Sequence, residues 1–235
     1  MGPNGLVIAI DGPAGAGKST VARELARRLG YVYVDTGAMY RVVGLLAREE
    51  NVTPEDGVRL GALAGGVSIR FAIGPGDEQS VFANGRDVTA PIREQPVGEW
   101  ASKVSTRPEV RERLVAAQRA MGRDGGVVLE GRDIGTVVFP DADLKFYLDA
   151  SAEERGRRRH RQLQERGEAP SLAVIVAEIE SRDRRDQQRE HSPLRCAPDA
   201  LRIDTTALSP PSVIEELLQR CLERLRSSGV GVQKP

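Results

Sequence analysis

The residues best equipped for chemistry stand close together near the start of the chain. From Gly12 to Ser19 the sequence fits the pattern G-x-x-x-x-G-K-[ST]. Glycines lack a Cβ, so successive backbone N–H groups can turn inward around a phosphate, and Lys18 adds a positive charge. Ser19 is placed to coordinate Mg²⁺, at the positive dipole end of the helix that it opens. The residues predicted to bind phosphate are Gly12, Pro13, Ala14, Gly15, Ala16, Gly17, Lys18, Ser19 and Thr20.

The elements on both sides of this loop support that interpretation. An apolar run over 6–10 predicts a buried strand, and Val21, Leu25 and Leu29 form an apolar helical stripe that ends at Gly30. Strand, loop and helix is the context that the pattern requires. The alternative is a glycine-rich loop that binds nothing, and it gives the lysine no obvious packing role.

A second group of candidates combines arginine with carboxylate. Arg41 follows the second predicted strand, and Arg132 and Asp133 follow the third. The carboxyl ends of parallel strands gather at one edge of a sheet, so these side chains are expected near the phosphate-binding loop. A solvated helix face for Arg41, and a surface turn with an internal ion pair for the other two, are the alternatives.

More charges lie on the helix that begins at Ser171. Its apolar face continues at helical spacing as Arg182, Asp186 and Arg189. Charges on an inward face are costly unless a partner or ligand meets them, which predicts a cleft, although a buried network of ion pairs would also account for them. Several arginines beyond a phosphate loop indicate a second anionic ligand, and two phosphorylated ligands across one cleft indicate phosphoryl transfer.

The order of the elements predicts the fold. Strands over 6–10, 31–34, 127–130, 144–148 and 201–204, joined by helices, predict an α/β fold with a doubly wound parallel five-stranded sheet. Alternating residues over 67–90, with the turn dipeptide Asn84-Gly85, predict a small inserted antiparallel sheet. Thr53 is the expected N-cap of a short helix that ends at Gly65 and Gly66. Further helices are expected over 94–104 and 108–122.

A basic run follows the helix cap at Ser151. We interpret residues 155–168 as a mobile lid whose Arg158 and Arg159 come over the transferring phosphates. A solvated helix or a nucleic-acid patch are the alternatives, and the second lacks interleaved aromatic residues. The predicted division is a core over 1–40, 105–154 and 169–235, an acceptor-binding insert over 41–104, and the lid over 155–168.

Composition narrows the class of protein. Lysine and arginine together equal aspartate and glutamate at 34 each, which argues against a general attraction to nucleic acid or membrane. Cys196 and Cys221 fit no metal or redox spacing, so we predict a reducing, cytoplasmic location. No stretch is typical of a signal peptide or a membrane span, and a monomer is expected.

Over almost its whole length the chain resembles the bacterial cytidylate kinases. The motifs that carry the resemblance are 11–18 (DGPAGAGK), 35–41 (DTGAMYR), 131–142 (GRDIGTVVFPDA) and 182–186 (RDRRD), of which the third is the most specific. The resemblance implies that residues 12–20 bind ATP, with Mg²⁺, and that CMP or dCMP is the acceptor. Thr36 stands where a serine is frequent and Glu130 where an aspartate can stand, so no exact role is assigned to either.

The resemblance also implies roles for individual residues at the acceptor site. The acceptor phosphate is assigned to Arg41, Arg132 and Arg189, the ribose to Arg182 and Asp186, and the cytosine edge to Ser102, Arg111 and Asp133. Thr36 is included among the acceptor-binding residues, and Lys18, Arg132, Asp133, Arg158 and Arg159 among the catalytic ones. The alternatives are a small-molecule kinase for another monophosphate, shikimate or dephospho-coenzyme A, or a nucleotide-dependent switch.

Overall fold

The computed structural model describes residues 2, 4–74, 78–165, 167 and 170–227. The chain divides into two compact units, one of residues 1–33 and 122–235 and the other of residues 34–121. Across the described ranges, no helix is both long enough and apolar enough to cross a membrane. The predicted division into core, insert and lid has different bounds and stays a prediction.

Two sheets organise the chain. The strands are β1 (Val7–Asp11), β2 (Val32–Asp35), β3 (Ile69–Ile73), β4 (Gln79–Ala83), β5 (Arg86–Asp87), β6 (Val127–Gly131), β7 (Leu144–Asp149) and β8 (Leu201–Asp204). The larger sheet has the order β2-β6-β1-β7-β8, in which β1 pairs in parallel with both β6 and β7, and β7 with β8. The smaller sheet is antiparallel, in the order β3-β4-β5. The predicted fold class is therefore confirmed.

The helices follow the predicted stretches closely. They are α1 (Lys18–Leu29), α2 (Thr36–Glu49), α3 (Gly57–Gly66), α4 (Gln95–Val104), α5 (Pro108–Gly122), α6 (Ala152–Gln164), α7 (Leu172–Gln188) and α8 (Pro210–Ser227). A 3₁₀ turn covers Pro91–Arg93 and a π-helical turn covers Ile134–Val138. Gly30 ends α1 in the left-handed region with φ 67°, as its position after the apolar stripe predicted.

The unit of residues 1–33 and 122–235 is built around β1. Ile8 and Ile10 on this strand are fully buried, and they belong to one apolar cluster with Leu25 of α1 and Leu217 of α8. Burial of an aliphatic side chain contributes about 1.5–3 kcal/mol, so this cluster anchors the strand that leads into the phosphate-binding residues.

The unit of residues 34–121 has its own apolar cluster, which includes Val42 and Val81. Strand β3 pairs with β4 in a register that sets Ile69 opposite Ala83. At the next turn Asn84 and Gly85 have φ of 51° and 82°. Both values fit the two-residue hairpin that this dipeptide predicted.

One helix cap differs from the prediction. Thr53 is not the N-cap of α3, because the helix begins at Gly57 and Asp56 caps it. The Asp56 carboxylate accepts a hydrogen bond from the Arg59 N–H at 3.0 Å, while the Thr53 carbonyl only accepts from the Asp56 N–H in the preceding turn. Both residues are good caps, and the chain uses the one whose side chain reaches the N3 amide.

This correction can be tested by measuring stability. Asp56→Ala removes the cap and is expected to lower the free energy of unfolding by about 1 kcal/mol in urea titrations. Thr53→Ala is the matched control and should change the same quantity by less than about 0.5 kcal/mol. A larger loss in the threonine variant than in the aspartate variant would contradict the assignment.

Candidate active site

The loop between β1 and α1, residues 12–17, is called the phosphate loop below. Gly12, Gly15 and Gly17 have φ of 146°, 79° and 90°, values that side chains disfavour. A Cβ on Gly12 would lie 2.0 Å from the Leu148 carbonyl oxygen. The glycines therefore allow the backbone to fold into a concave cradle against the neighbouring strand, as an anion-binding loop requires.

Three carbonyl groups of the phosphate loop accept hydrogen bonds from side chains of the same unit. Lys18 Nζ donates to the Pro13 oxygen at 2.7 Å, Arg155 Nη1 to the Ala14 oxygen at 3.0 Å, and Thr205 Oγ1 to the Ala16 oxygen at 3.3 Å. By contrast, Gly15 and the first-turn residues Ser19 and Thr20 are exposed. The loop is therefore held by three side chains, while some of its residues remain accessible to solvent.

Lys18 is buried at 5% exposure. Burial, together with the positive charges of Arg132 and Arg182, lowers the pKa of its ammonium group to about 7, against the opposing charges of Glu130 and Asp11. Lys18 therefore lies near the phosphate loop and also near Arg132 and Arg182, two of the arginines predicted to bind the acceptor. A phosphate group would supply the negative charge that this buried ammonium lacks.

Asp11, the last residue of β1, is a buried carboxylate that the sequence argument assigned no role. Its Oδ1 accepts from the Ile134 N–H at 2.8 Å and its Oδ2 from the Gly135 N–H at 2.7 Å. Burial raises the pKa of Asp11 to about 6, although the two hydrogen bonds act in the opposite direction. These bonds attach the loop after β6, which contains Arg132 and Asp133, to the strand before the phosphate loop.

The predicted residues Arg132, Arg182, Asp186 and Arg189, called the charged cluster below, lie together in this same unit. Arg132 Nε donates to Asp186 Oδ2 at 2.9 Å. Burial of Asp186 would raise the pKa of its carboxyl group, but the positive charges of Arg132, Arg182 and Arg189 outweigh burial and lower it. The negative charges of Glu130 and Asp183 also act on Arg132, so the charged cluster brings several arginines and carboxylates together.

Asp133 follows Arg132 of the charged cluster in the sequence, and it is buried. Its carbonyl group accepts from the Val137 and Val138 N–H groups at 2.9 and 3.2 Å, which begins the π-helical turn. Main-chain bonds thus fix the position of this residue in the loop after β6.

The remaining acceptor-site candidates belong to the unit of residues 34–121. Arg111 is buried, with its guanidinium 5.8 Å from the centre of the Tyr40 ring. Ser102 Oγ is buried and has no hydrogen-bond partner among the described residues. Arg41 Nη1 donates to the Ile92 carbonyl oxygen at 2.9 Å, and Thr36 is buried at the start of α2. A buried hydroxyl without a partner is a cost that a bound ligand would remove.

The lid candidates lie on α6, a continuous helix over Ala152–Gln164 that Ser151 caps as predicted. Arg158 donates to the Thr205 carbonyl oxygen at 2.6 Å, and its Nη1 would lie 3.9 Å from a Cβ on Gly17. It therefore lies beside the phosphate loop. Arg159 is half-buried on the same helix. Residues 166 and 168 of the predicted lid lie outside the described residues.

Glu130 is a further buried carboxylate near the phosphate loop. It ends an apolar strand and accepts a hydrogen bond from the Tyr33 hydroxyl at 2.5 Å. Its negative charge supports the protonated form of Lys18. A charged residue at the carboxyl end of an apolar strand, as at both Asp11 and Glu130, is a sequence signal that could have identified such residues.

The part of the chain that the structure describes holds no group of three or more His, Cys, Asp or Glu side chains suited to a metal ion. The exposed hydroxyl of Ser19 at the mouth of the phosphate loop nevertheless fits Mg²⁺, because this ion commonly takes most of its ligands from nucleotide phosphates and water.

Comparison with known proteins decides among the classes of phosphate-loop protein. The family model described as Cytidylate kinase matches residues 8–223. The chain belongs to the cytidylate kinase family. This confirms the resemblance that the four motifs indicated.

Curated relatives match at similar levels. A cytidylate kinase of Geobacter sp. (strain M21) is 50% identical over 228 residues, which are 97% of each chain. One of Geobacter sulfurreducens is 48% identical over 227 residues, again 97% of each. Among solved structures, a shikimate kinase from Acinetobacter baumannii in complex with shikimate covers 94% of this chain and 95% of its own, at 17% identity and a TM-score of 0.44.

Lys18, which directly follows the phosphate loop, gives a direct test of the site. Lys18→Ala is expected to lower kcat by about a hundredfold or more, because the ammonium group meets phosphate charge in the transition state. Circular dichroism should show an intact fold, since the variant removes a desolvated charge rather than an apolar contact. The exposed Lys103→Ala is the control and should retain activity. Unfolding or full activity of Lys18→Ala would contradict this role.

The lowered pKa of Lys18 has a consequence for stability. Because its pKa is about 7 in the folded chain and 10.5 ordinarily, the unfolded chain binds more protons between these values. The contribution of Lys18 to stability therefore rises with pH across this window. Lys18→Ala should lack that rise, which urea titrations at several pH values would measure. Parallel pH profiles of the two proteins would refute the assignment.

Proposed function

We propose that this member of the cytidylate kinase family transfers the terminal phosphoryl group of ATP to CMP or dCMP, giving ADP and CDP or dCDP. The observation that carries the proposal is the position of Lys18. It directly follows the phosphate loop, donates a hydrogen bond to the Pro13 carbonyl of that loop, and interacts electrostatically with Arg132 and Arg182 of the charged cluster. The residues proposed to bind the donor phosphates and two of the arginines proposed to bind the acceptor are thus neighbours within one unit.

The donor half of the reaction follows from the geometry of the loop. The N–H groups of the phosphate loop bind the donor phosphates, and Lys18 exchanges its bond to the Pro13 carbonyl for one to a phosphate oxygen. Arg158, beside Gly17, and Arg159 stabilise charge on the transferred group. Ser19 would hold Mg²⁺, which neutralises charge on the donor phosphates.

The acceptor half needs no covalent intermediate. An oxygen of the CMP phosphate attacks the terminal phosphorus of ATP, and the bond from that phosphorus to the ADP oxygen breaks in line. Arg41, Arg132 and Arg189 are proposed to hold the acceptor phosphate, and Arg182 and Asp186 the ribose. Closure of the lid, proposed over 155–168 with its first residue held against the phosphate loop, would exclude water from this step.

The base is proposed to bind at Ser102, Arg111 and Asp133, and Thr36 is proposed as a further acceptor-binding residue. The buried hydroxyl of Ser102, which lacks a hydrogen-bond partner among the described residues, supports this part of the proposal. Arg111 is already ordered by its position on the Tyr40 ring, so little conformational entropy would be lost when it binds a base. A cytoplasmic, monomeric enzyme remains our prediction for the protein's location and oligomeric state.

Incubation with ATP, Mg²⁺ and a panel of acceptors tests the function. CMP and dCMP should consume ATP stoichiometrically, with CDP or dCDP as the product. UMP, AMP, shikimate and dephospho-coenzyme A should be poorer acceptors, and ATP alone should be hydrolysed slowly. Turnover confined to another acceptor, or hydrolysis that no acceptor accelerates, would refute the proposal.

Asp133 is the residue through which base choice can be tested. Its carboxylate can accept from the N4 amino group of cytosine, but it would face the lone pairs of uracil O4. Asp133→Ala is therefore expected to lower the ratio of kcat/KM for CMP to that for UMP by about tenfold or more, mainly by weakening CMP.

The exposed Asp124→Ala, just before β6, is the matched control for this substitution and should leave the ratio unchanged. If Asp133 only orients Arg132 or a water molecule, both acceptors should lose turnover equally. An unchanged CMP to UMP ratio in Asp133→Ala would therefore exclude a role in reading the base.

A further inference from the structure

Arg155 differs from the other arginines of its basic run. Its side chain is 6% exposed, whereas that of Arg157, two residues later, is 54% exposed and pairs with Glu153. Its guanidinium is bonded on three sides: Nε donates to the Ala150 carbonyl at 2.8 Å, Nη1 to the Ala14 carbonyl at 3.0 Å, and Nη2 pairs with Asp183 at 2.7 Å. Such a group is placed to hold main chain rather than to meet a ligand.

The bond to Ala14 acts on the phosphate loop itself. In a planar trans peptide the carbonyl oxygen and the next N–H point in opposite directions. When Arg155 holds the Ala14 oxygen, the N–H of Gly15 is turned to the other side. A Cβ on Gly15 would lie 3.1 Å from the Arg155 Cβ, so the loop packs directly on this residue. The exposed face of Gly15 is then the side from which a phosphate approaches.

We propose that Arg155 is a positioning residue for the donor phosphate. It does not touch the nucleotide, but it fixes the peptide between Ala14 and Gly15 so that the Gly15 N–H is already aimed at the phosphate before ATP binds. The proposal rests on the proposed function only in that the loop binds the phosphates of ATP. Preorganised donors cost little free energy when the ligand arrives, so affinity for ATP depends on this arrangement.

Asp183 supplies the negative charge that compensates the burial of the Arg155 guanidinium. Its Oδ2 pairs with Arg155, while its Oδ1 is buried with no hydrogen-bond partner among the residues described. Three residues further along α7, Asp186 pairs with Arg132 of the charged cluster. Helix α7 therefore carries both carboxylates. Asp183 holds the arginine that is bonded to the phosphate loop, and Asp186 holds an arginine proposed to bind the acceptor, so this helix links the two halves of the site.

The test is the affinity for each ligand alone, measured by calorimetry. Arg155→Lys keeps a charge opposite Asp183, but a single ammonium cannot replace the planar fork at three acceptors. The Kd for ATP should rise about tenfold, as the loss of a charged hydrogen bond predicts, while the Kd for CMP changes less than about twofold. Arg157→Lys, the same substitution on the exposed side of α6, should change neither.

A merely structural role predicts a different outcome. In that case Arg155→Lys would lower the melting temperature and leave both affinities unchanged in the folded protein, or weaken both equally, and either result would overturn the proposal. If Arg155→Lys does not fold, Asp183→Asn decides, because it keeps the shape but weakens the hold on the guanidinium.

Asp183→Asn should raise the Kd for ATP about threefold without weakening CMP, and an unchanged Kd for ATP would overturn the proposal. ATP binding without phosphorylation of CMP by the unmodified chain would refute the proposed function but not the role of Arg155.

Discussion

The carboxylate of Asp11 is the constraint on which the arrangement of the site depends. It ends the central strand β1, and both of its oxygens accept main-chain N–H groups of the loop after β6. Burying a carboxylate costs free energy unless hydrogen bonds compensate it. Moving the loop away from Asp11 would break both hydrogen bonds and leave that cost uncompensated. Strand pairing alone would align β6 with β1 but would not fix the loop beyond it. Asp11 thereby holds Arg132 and Asp133 next to the strand that leads into the phosphate loop.

The buried cationic residues of this unit differ in the groups that compensate their charge, so they are not interchangeable. Arg132 and Arg155 are each paired with a carboxylate, at 2.9 and 2.7 Å. Lys18 instead bonds to a neutral carbonyl, and its charge balance rests on Glu130 and Asp11 nearby. Each pair holds its arginine in place, because breaking the pair would leave an uncompensated buried charge. Lys18 would lose only a hydrogen bond to a neutral carbonyl group, so it can bind an incoming phosphate at a small cost in free energy.

Much of the fold could be predicted from the sequence because it depends on local patterns. The phosphate loop, the Asn84-Gly85 turn and the end of α1 at Gly30 each depend on backbone conformations that few residues adopt. The parallel strands show as short apolar runs, since a strand covered on both faces has little room for polar residues. The cap of α3 escaped prediction because Thr53 and Asp56 are both good caps, and only the hydrogen bond to Arg59 separates them.

The residues that position the site are harder to predict than the residues that form it. Asp11 is separated by 123 residues from Ile134, and Arg155 by 141 residues from Ala14, so no local spacing records these bonds. For Arg155, helical phase still holds a signal. Leu163 is the apolar residue that α6 buries, and steps of four back from it reach Arg159, which is half-buried, and then Arg155, which is buried. An arginine in phase with the only core leucine of a basic helix must find partners inside the protein, and in this chain one of those partners is the phosphate loop.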